Sequence, residues 1–188
     1  TDRVQITRDA VYGPFPRNRL DVFTPSARAD AARPVLVFVP GGGFRHGDKH
    51  PDGAYFYDNV ALWAARHGLV GVTADYRLAP AHRFPSGVDD LRALRAWIRE
   101  NIAQHGGDPD HVFLWGHSAG AAHVADYLAQ VNPPDVSGAI LTSGFYQLPT
   151  DTVSAWSVYY GEDIAQYRAR SSLPGLLECH TPLMVTDA

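Results

Sequence analysis

Residues 35–39, VLVFV, form an unbroken β-branched and apolar run that ends in Pro40-Gly41-Gly42-Gly43. Side chains alternate between the two faces of a strand, so this segment is apolar on both and has to be covered on both. That is the environment of a central strand in a parallel sheet with helices on each side. LVGVTA (69–74), VFLW (112–115), AILT (139–142) and LMVT (183–186) have the same character. Helical patterns lie between them. Residues 53–67 place Phe56, Val60, Trp63, Ala64 and His67 at helical spacing, with Gly68 as the C-cap. Residues 86–103 carry Val88, Leu91, Leu94, Ile98 and Ile102 on one stripe, with Ser86 as the N-cap. Helical stretches are also expected at 119–130 and around 162–170. Strands alternating with helices predict an α/β fold with a mostly parallel sheet and helices on both faces. The segments VQITRDAVYG and NRLDVFTP, separated by PFPR turn chemistry, add an antiparallel pair at its start, and ARADAARP follows as a surface loop.

The chain has 188 residues, the length of one domain with a sizeable core. A formal net charge of −4, with no lysine- or arginine-dense block, argues against nucleic acid or an anionic membrane as partner. Arg92, Arg95 and Arg99 line one helix face and are read as a solvated face rather than an anion site. The single cysteine, Cys179, permits neither an intrachain disulfide nor a cysteine-built zinc site, and reads as a small half-buried thiol. No apolar run reaches the roughly 18 residues of a membrane-spanning helix. The N-terminal TDRVQITRDA is polar and lacks the apolar core of a signal peptide, so the expected location is the cytoplasm by default. The missing starting methionine leaves upstream processing or trimming open.

Two glycine-rich turns carry the chemistry. FLWGHSAGAAH (113–123) reads as a strand, a sharp bend at Ser118, and a helix, so Gly116-His117-Ser118-Ala119-Gly120 fits G-x-S-x-G in the context that motif requires. Such a bend presents the hydroxyl at the carboxyl end of the sheet and aims the Ala119 N–H at negative charge on a bound carbonyl oxygen. The second turn, VPGGGFRHGDK, is not a P-loop, because Asp48 stands where the P-loop lysine belongs. Nor does it hold the G-x-G-x-x-G of a dinucleotide site. It suits an oxyanion loop, in which consecutive glycines let backbone N–H groups converge on one oxygen. Each such donor is worth about 3–4 kcal/mol of transition-state stabilisation.

PGGGF, then DYRLAPAHRFPSGVDDLRALRAW, then GHSAGA resemble the carboxylesterase branch of the α/β-hydrolase superfamily, near the hormone-sensitive-lipase-like esterases and the arylformamidases. The resemblance runs through YYGEDIAQYRARSSLPGL to TPLMVTDA and so covers nearly the whole chain. It implies Ser118 as nucleophile and an oxyanion hole made by Gly42, Gly43 and Ala119. Phe44, Phe84, Trp156 and Tyr160 become candidate pocket walls, though each is more simply explained as core or surface packing. No metal or organic cofactor is implied, and the partner is a small-molecule ester. Pro40 departs from the pattern, since the family usually has histidine before the three glycines.

A serine hydroxyl needs a base. In this superfamily the acid and then the histidine follow the nucleophile along the chain, and the resemblance places both beyond Ala188. Of the residues present, His117 is expected to point away from Ser118, and His123 to be a packing or surface residue on the following helix. His180 lies at the wrong end of its strand, and Asp187 at the right end but slightly too early. His46, Asp48, His50 and Asp52 read as a polar loop rather than a metal site. The expectation is therefore a C-terminally incomplete hydrolase domain, with an uncovered sheet edge or apolar surface. Two rival readings stand beside the short-chain esterase: an arylformamidase-type amidase, and a non-catalytic hydrolase-fold binding protein if the chain truly ends at Ala188.

Overall fold

In a computed structural model, residues 4–27, 30–51, 56–131 and 135–187 are described. Seven strands form one sheet in the order β1-β2-β4-β3-β5-β6-β7. Strands β1 (Val4–Val11) and β2 (Arg19–Pro25) are antiparallel to each other, and β2 is antiparallel to β4 (Val70–Ala74). From β4 onward the sheet is parallel, through β3 (Arg33–Val39), β5 (Gly107–His117), β6 (Gly138–Thr142) and β7 (Leu183–Thr186). The expected α/β architecture is the one found. Among the described residues, no helix is long and apolar enough to cross a membrane.

Helix α1 (Asp58–Arg66) covers one face of the sheet. Helices α2 (Ser86–Asn101) and α3 (Ala119–Gln130) pack together on the other, and α6 (Leu173–Glu178) lies against α3. Short helices α4 (Ser157–Tyr160) and α5 (Tyr167–Arg170) occupy the connection from β6 to α6. The larger core lies on the α2/α3 face, where Val37, Val39, Val72, Leu91, Ile98 and Leu141 are buried together. Register aligns the carboxyl ends of the parallel strands: Val39 pairs with Gly116, His117 with Thr142, and Thr142 with Thr186. Both glycine-rich turns therefore emerge at one end of the sheet.

Three local expectations need correction. Helix α1 starts at Asp58 and turns a different face inward, burying Ala61, Ala64 and Ala65 while Phe56 and Trp63 are exposed. The reason is a close approach to β4. A Cβ on Gly71 would come within 2.8 Å of Ala61 Cα, a gap only small side chains can line. Residues 53–55 of the expected helix lie outside the described residues, as does Asp52. Ser86 is the first residue of α2 rather than its cap: Pro85 holds the cap position and no side chain bonds there. Finally, Arg95 is buried, donating to the carbonyls of Asp135 and Pro109 at 2.8 Å each, while its neighbours Arg92 and Arg99 stay exposed. At the far edge of the sheet, β7 leaves Met184 and Val185 exposed, the uncovered apolar surface that the sequence leads one to expect.

Candidate active site

Strand β5 turns into α3 at a single residue, Ser118, with φ 52° and ψ −117°. This is left-handed backbone that a serine adopts only when its surroundings enforce it, at a cost of about 1–3 kcal/mol. The enforcement is visible in its neighbours. A Cβ on Gly116 would lie 2.5 Å from Ala121 Cα, and one on Gly120 would run into the carbonyl oxygen of Val39 and sit 2.6 Å from that of Pro40. Ser118 N–H donates to Thr142 O at 2.8 Å, and Ser118 O accepts from Ala122 N–H at 3.1 Å. Strand, turn, helix and neighbouring strand thus fix one another.

The glycine loop meets this turn from β3. Gly41 is the residue of contact: a Cβ there would stand 3.1 Å from Ser118 Cβ and 3.0 Å from His117 Nδ1. The first glycine is thus required by close approach, a role separate from the one expected of Gly42 and Gly43. Gly42 (φ 136°), Gly43 (φ 58°) and Phe44 (φ 64°) carry the chain through left-handed conformations. Gly42 O closes the turn by accepting from Arg45 and His46 N–H at 3.2 and 2.9 Å. Among the described residues, no acceptor faces the N–H of Gly42, Gly43 or Ala119. Gly42 and Gly43 follow directly on the contact residue Gly41, and Ala119 is the first residue of α3.

The loop is held by residues to which the sequence analysis assigned no role. Tyr76 Oη donates to Pro40 O at 2.8 Å, and Ala79 N–H to Phe44 O at 2.8 Å. The Arg17 guanidinium donates to Gly47 O and, at 2.9 Å, to Tyr76 O. Asp75 accepts from Lys49 N–H at 2.7 Å and lies 3.2 Å from Arg17. Burial pushes the Asp75 carboxyl up to about 6, against the pull of Arg17. Beneath this lies an ion network. The fully buried Asp21 carboxylate accepts from Arg8 at 2.7 Å, Lys49 at 2.8 Å and Asp9 N–H at 2.8 Å. Arg8 also holds Asp58 with two hydrogen bonds, at 2.9 and 2.6 Å. Burial alone would lower the Lys49 pKa, but its hydrogen bonds to Asp21 and Asp9 outweigh that and raise it. The one signal of this network in the sequence was an aspartate inside the apolar strand NRLDVFTP.

The four candidate wall aromatics come together. Phe44 lies 5.9 Å from Trp156 and 5.7 Å from Tyr160, between ring centroids, and Phe84 is 5.5 Å from Tyr160. Trp156 reaches over the loop, its Cζ3 3.8 Å from where a Cβ on Gly43 would be, and stacks on Phe145 at 5.3 Å. Phe44 and Tyr160 are buried in this aromatic block, whereas Trp156 and Phe84 keep exposed surface.

The histidines sort by element. His117 lines a cleft on the α1 side with Tyr57, Phe38 and Trp115. His123 is buried among Phe44, Tyr76 and Tyr159, and desolvation lowers its pKa to about 3, so it packs as a neutral ring. His180 and Cys179 line a cleft of 310 Å³ at the opposite end of the sheet. His50 lies 3.0 Å from Asp58 in the ion network, and Asp48 accepts from His50 N–H at 2.9 Å. Asp187 follows β7 at the same end as Ser118. Among the described residues, no histidine hydrogen-bonds the Ser118 hydroxyl.

Comparison with known proteins bears on the family and the fold. Residues 19–172 match the model of the carboxylesterase family. Esterase LipQ of Mycobacterium tuberculosis is 35% identical over 157 residues, covering 82% of this chain and 35% of the relative. Carboxylesterase NlhH of the same organism is 34% identical over 164 residues, covering 82% of this chain and 50% of the relative. Esterase B of Lactobacillus rhamnosis, solved with a tributyrin phosphonate inhibitor, superposes with a TM-score of 0.78 at 19% identity, covering 98% of this chain and 75% of that one. The chain thus spans a third to a half of the length of these two curated relatives.

Proposed function

This chain belongs to the carboxylesterase family, and on that premise we propose that it supplies the nucleophile and oxyanion hole of a serine hydrolase acting on short-chain carboxylic esters. The observation that carries the proposal is the close approach of the glycine loop, at Gly41, to the strained Ser118 turn. It is supported by the N–H groups of Gly42, Gly43 and Ala119, which face no acceptor among the described residues.

The Ser118 hydroxyl oxygen attacks the ester carbonyl carbon and forms a C–O bond, while its proton passes to a base. The carbonyl oxygen becomes an oxyanion and takes up the loop and helix N–H groups, which bind it more strongly than the neutral ester. Collapse of the tetrahedral species breaks the bond to the alcohol oxygen, and the base returns the proton to that leaving group. Water then attacks the acyl-enzyme by the same route, releasing the carboxylic acid and restoring Ser118. The family's order of elements puts the acid and then the histidine base beyond β7 in the full natural chain. The packed aromatic block beside Gly43 leaves little depth on that side, which favours short groups against Trp156 and Phe84.

The test is hydrolysis by the full natural chain of a nitrophenyl ester and of N-formylkynurenine, each with Ser118→Ala as control. Faster turnover of the ester, abolished by the substitution, supports the reading. Faster turnover of the formamide, equally dependent on Ser118, replaces it with the amidase.

A further inference from the structure

Helix α3 begins directly after Ser118, and two turns further along it carries a buried carboxyl, Asp126, that the proposed chemistry does not use. Tyr160 Oη donates to Asp126 Oδ2 at 2.8 Å. Ser172, just before α6, is also buried, and its hydroxyl donates to Tyr146 O at 3.5 Å. One side chain of the nucleophile helix therefore holds the end of α4.

Tyr160 is the keystone of the aromatic block. Its ring meets Phe44 at 5.7 Å, Phe84 at 5.5 Å and Phe145 at 5.8 Å. Phe145 in turn stacks on Trp156, the ring that reaches over Gly43. A shift of Tyr160 is transmitted to Trp156 through rings in van der Waals contact, since cores packed this densely do not absorb displacement locally.

We propose that Asp126 is a specificity-determining, positioning residue: through its hydrogen bond to Tyr160 it fixes the aromatic wall beside Ser118 and so limits the size of the acyl group admitted. The inference rests on the esterase reading above and goes beyond it by naming what sets the size limit. Burial pushes the Asp126 carboxyl up to about 8, only partly offset by Tyr160 and Ser172, so near neutrality it is largely the uncharged acid. An amide matches an uncharged acid in shape and keeps an acceptor oxygen for Tyr160, whereas a leucine does not. Conservative replacement should thus preserve the wall, and apolar replacement should loosen it.

The experiment measures kcat and KM of the full natural chain on nitrophenyl acetate, butyrate and octanoate, for wild type, Asp126→Asn, Asp126→Leu and Tyr160→Phe. Fluorophosphonate labelling of the wild type runs alongside. Asp126→Asn should keep the wild-type order of preference. Asp126→Leu should raise the octanoate-to-acetate ratio of kcat/KM about tenfold or more, the size of effect a pocket dimension produces, chiefly through KM. Tyr160→Phe deletes only the donating hydroxyl and should move the ratio the same way, which decides the question if Asp126→Leu does not fold. An unchanged ratio in Tyr160→Phe, or Asp126→Asn behaving like Asp126→Leu, overturns the inference while Ser118 still labels. Failure of the wild type to label overturns the esterase reading and this inference with it.

Discussion

Ser118 donates its backbone N–H to the carbonyl oxygen of Thr142 over 2.8 Å. The turn that strains the serine is thus tied to the end of β6, one residue before Ser143, which also takes a left-handed φ of 52°. Ser143 N–H donates in turn to Thr186 O at 2.8 Å. Three successive strand ends are laced together, and the strain at Ser118 is supported by the sheet rather than by the turn alone.

Gly120 sets how close that turn can sit to the glycine loop. A Cβ there meets the backbone of Val39 and Pro40, and neither can swing aside. Gly120→Ala should destabilise the full natural chain by about 3 kcal/mol, at the upper end of overpacking effects. Gly106→Ala has open space around it and only its φ of 75° to strain it, and should lose about 1 kcal/mol. Urea titration of both variants checks this, the shift appearing in the midpoint with the slope unchanged.

The ion network under the loop should show graded losses. Asp21 is fully buried, and Asp21→Ala strands the nearly buried Lys49 ammonium with only Asp9, which is mostly exposed. A loss of about 3–5 kcal/mol is expected for breaking a buried ionic contact. Arg8 is one-third exposed, so water screens part of what it supplies, and Arg8→Ala should lose clearly less. Equal losses in the two variants, read from the same denaturation curves, would contradict this arrangement.

Two buried groups on α3 should tilt stability with pH in opposite regions. Asp126 has its folded pKa raised to about 8, so the folded state keeps a proton that the unfolded chain has released. Its contribution is full below about pH 4 and is lost as pH climbs toward 8. Asp126→Asn should therefore gain on wild type by up to about 1.4 kcal/mol per pH unit across that window. His123 has its folded pKa lowered to about 3, so acid protonates the unfolded chain first. Its contribution is present above about pH 6.5 and lost as pH falls toward 3. His123→Leu should narrow its deficit over that acidic range. Denaturation at pH 4, 5, 6, 7 and 8 reads both slopes.

Much of this structure is legible in the sequence because the signals are local. The apolar runs at 35–39, 69–74 and 139–142 are strands, and 119–130 is a helix with the bounds expected. The G-x-S-x-G pentapeptide falls at a strand-to-helix turn as its glycines require. What escaped depends on partners distant in the chain. Phe56 and Trp63 look like a core stripe until β4 brings Gly71 against Ala61 and leaves room only for alanines. Arg95 looks like one of three solvated arginines until the carbonyls of Pro109 and Asp135 close over it. The supports Arg17, Tyr76 and Lys49 lie far apart in the chain, so their joint hold on the loop, like the contact of Gly41 with Ser118, exists only in three dimensions.

The most direct test of the account is the site of covalent labelling. The full natural chain is treated with a fluorophosphonate, and intact mass and peptide mapping locate the adduct. A single adduct on Ser118, absent from Ser118→Ala and diminished when Gly42→Ala disturbs the loop, is the predicted result. No adduct, or an adduct on another residue that persists in Ser118→Ala, would contradict the claim that Ser118 and the glycine loop form an ester-hydrolysing site.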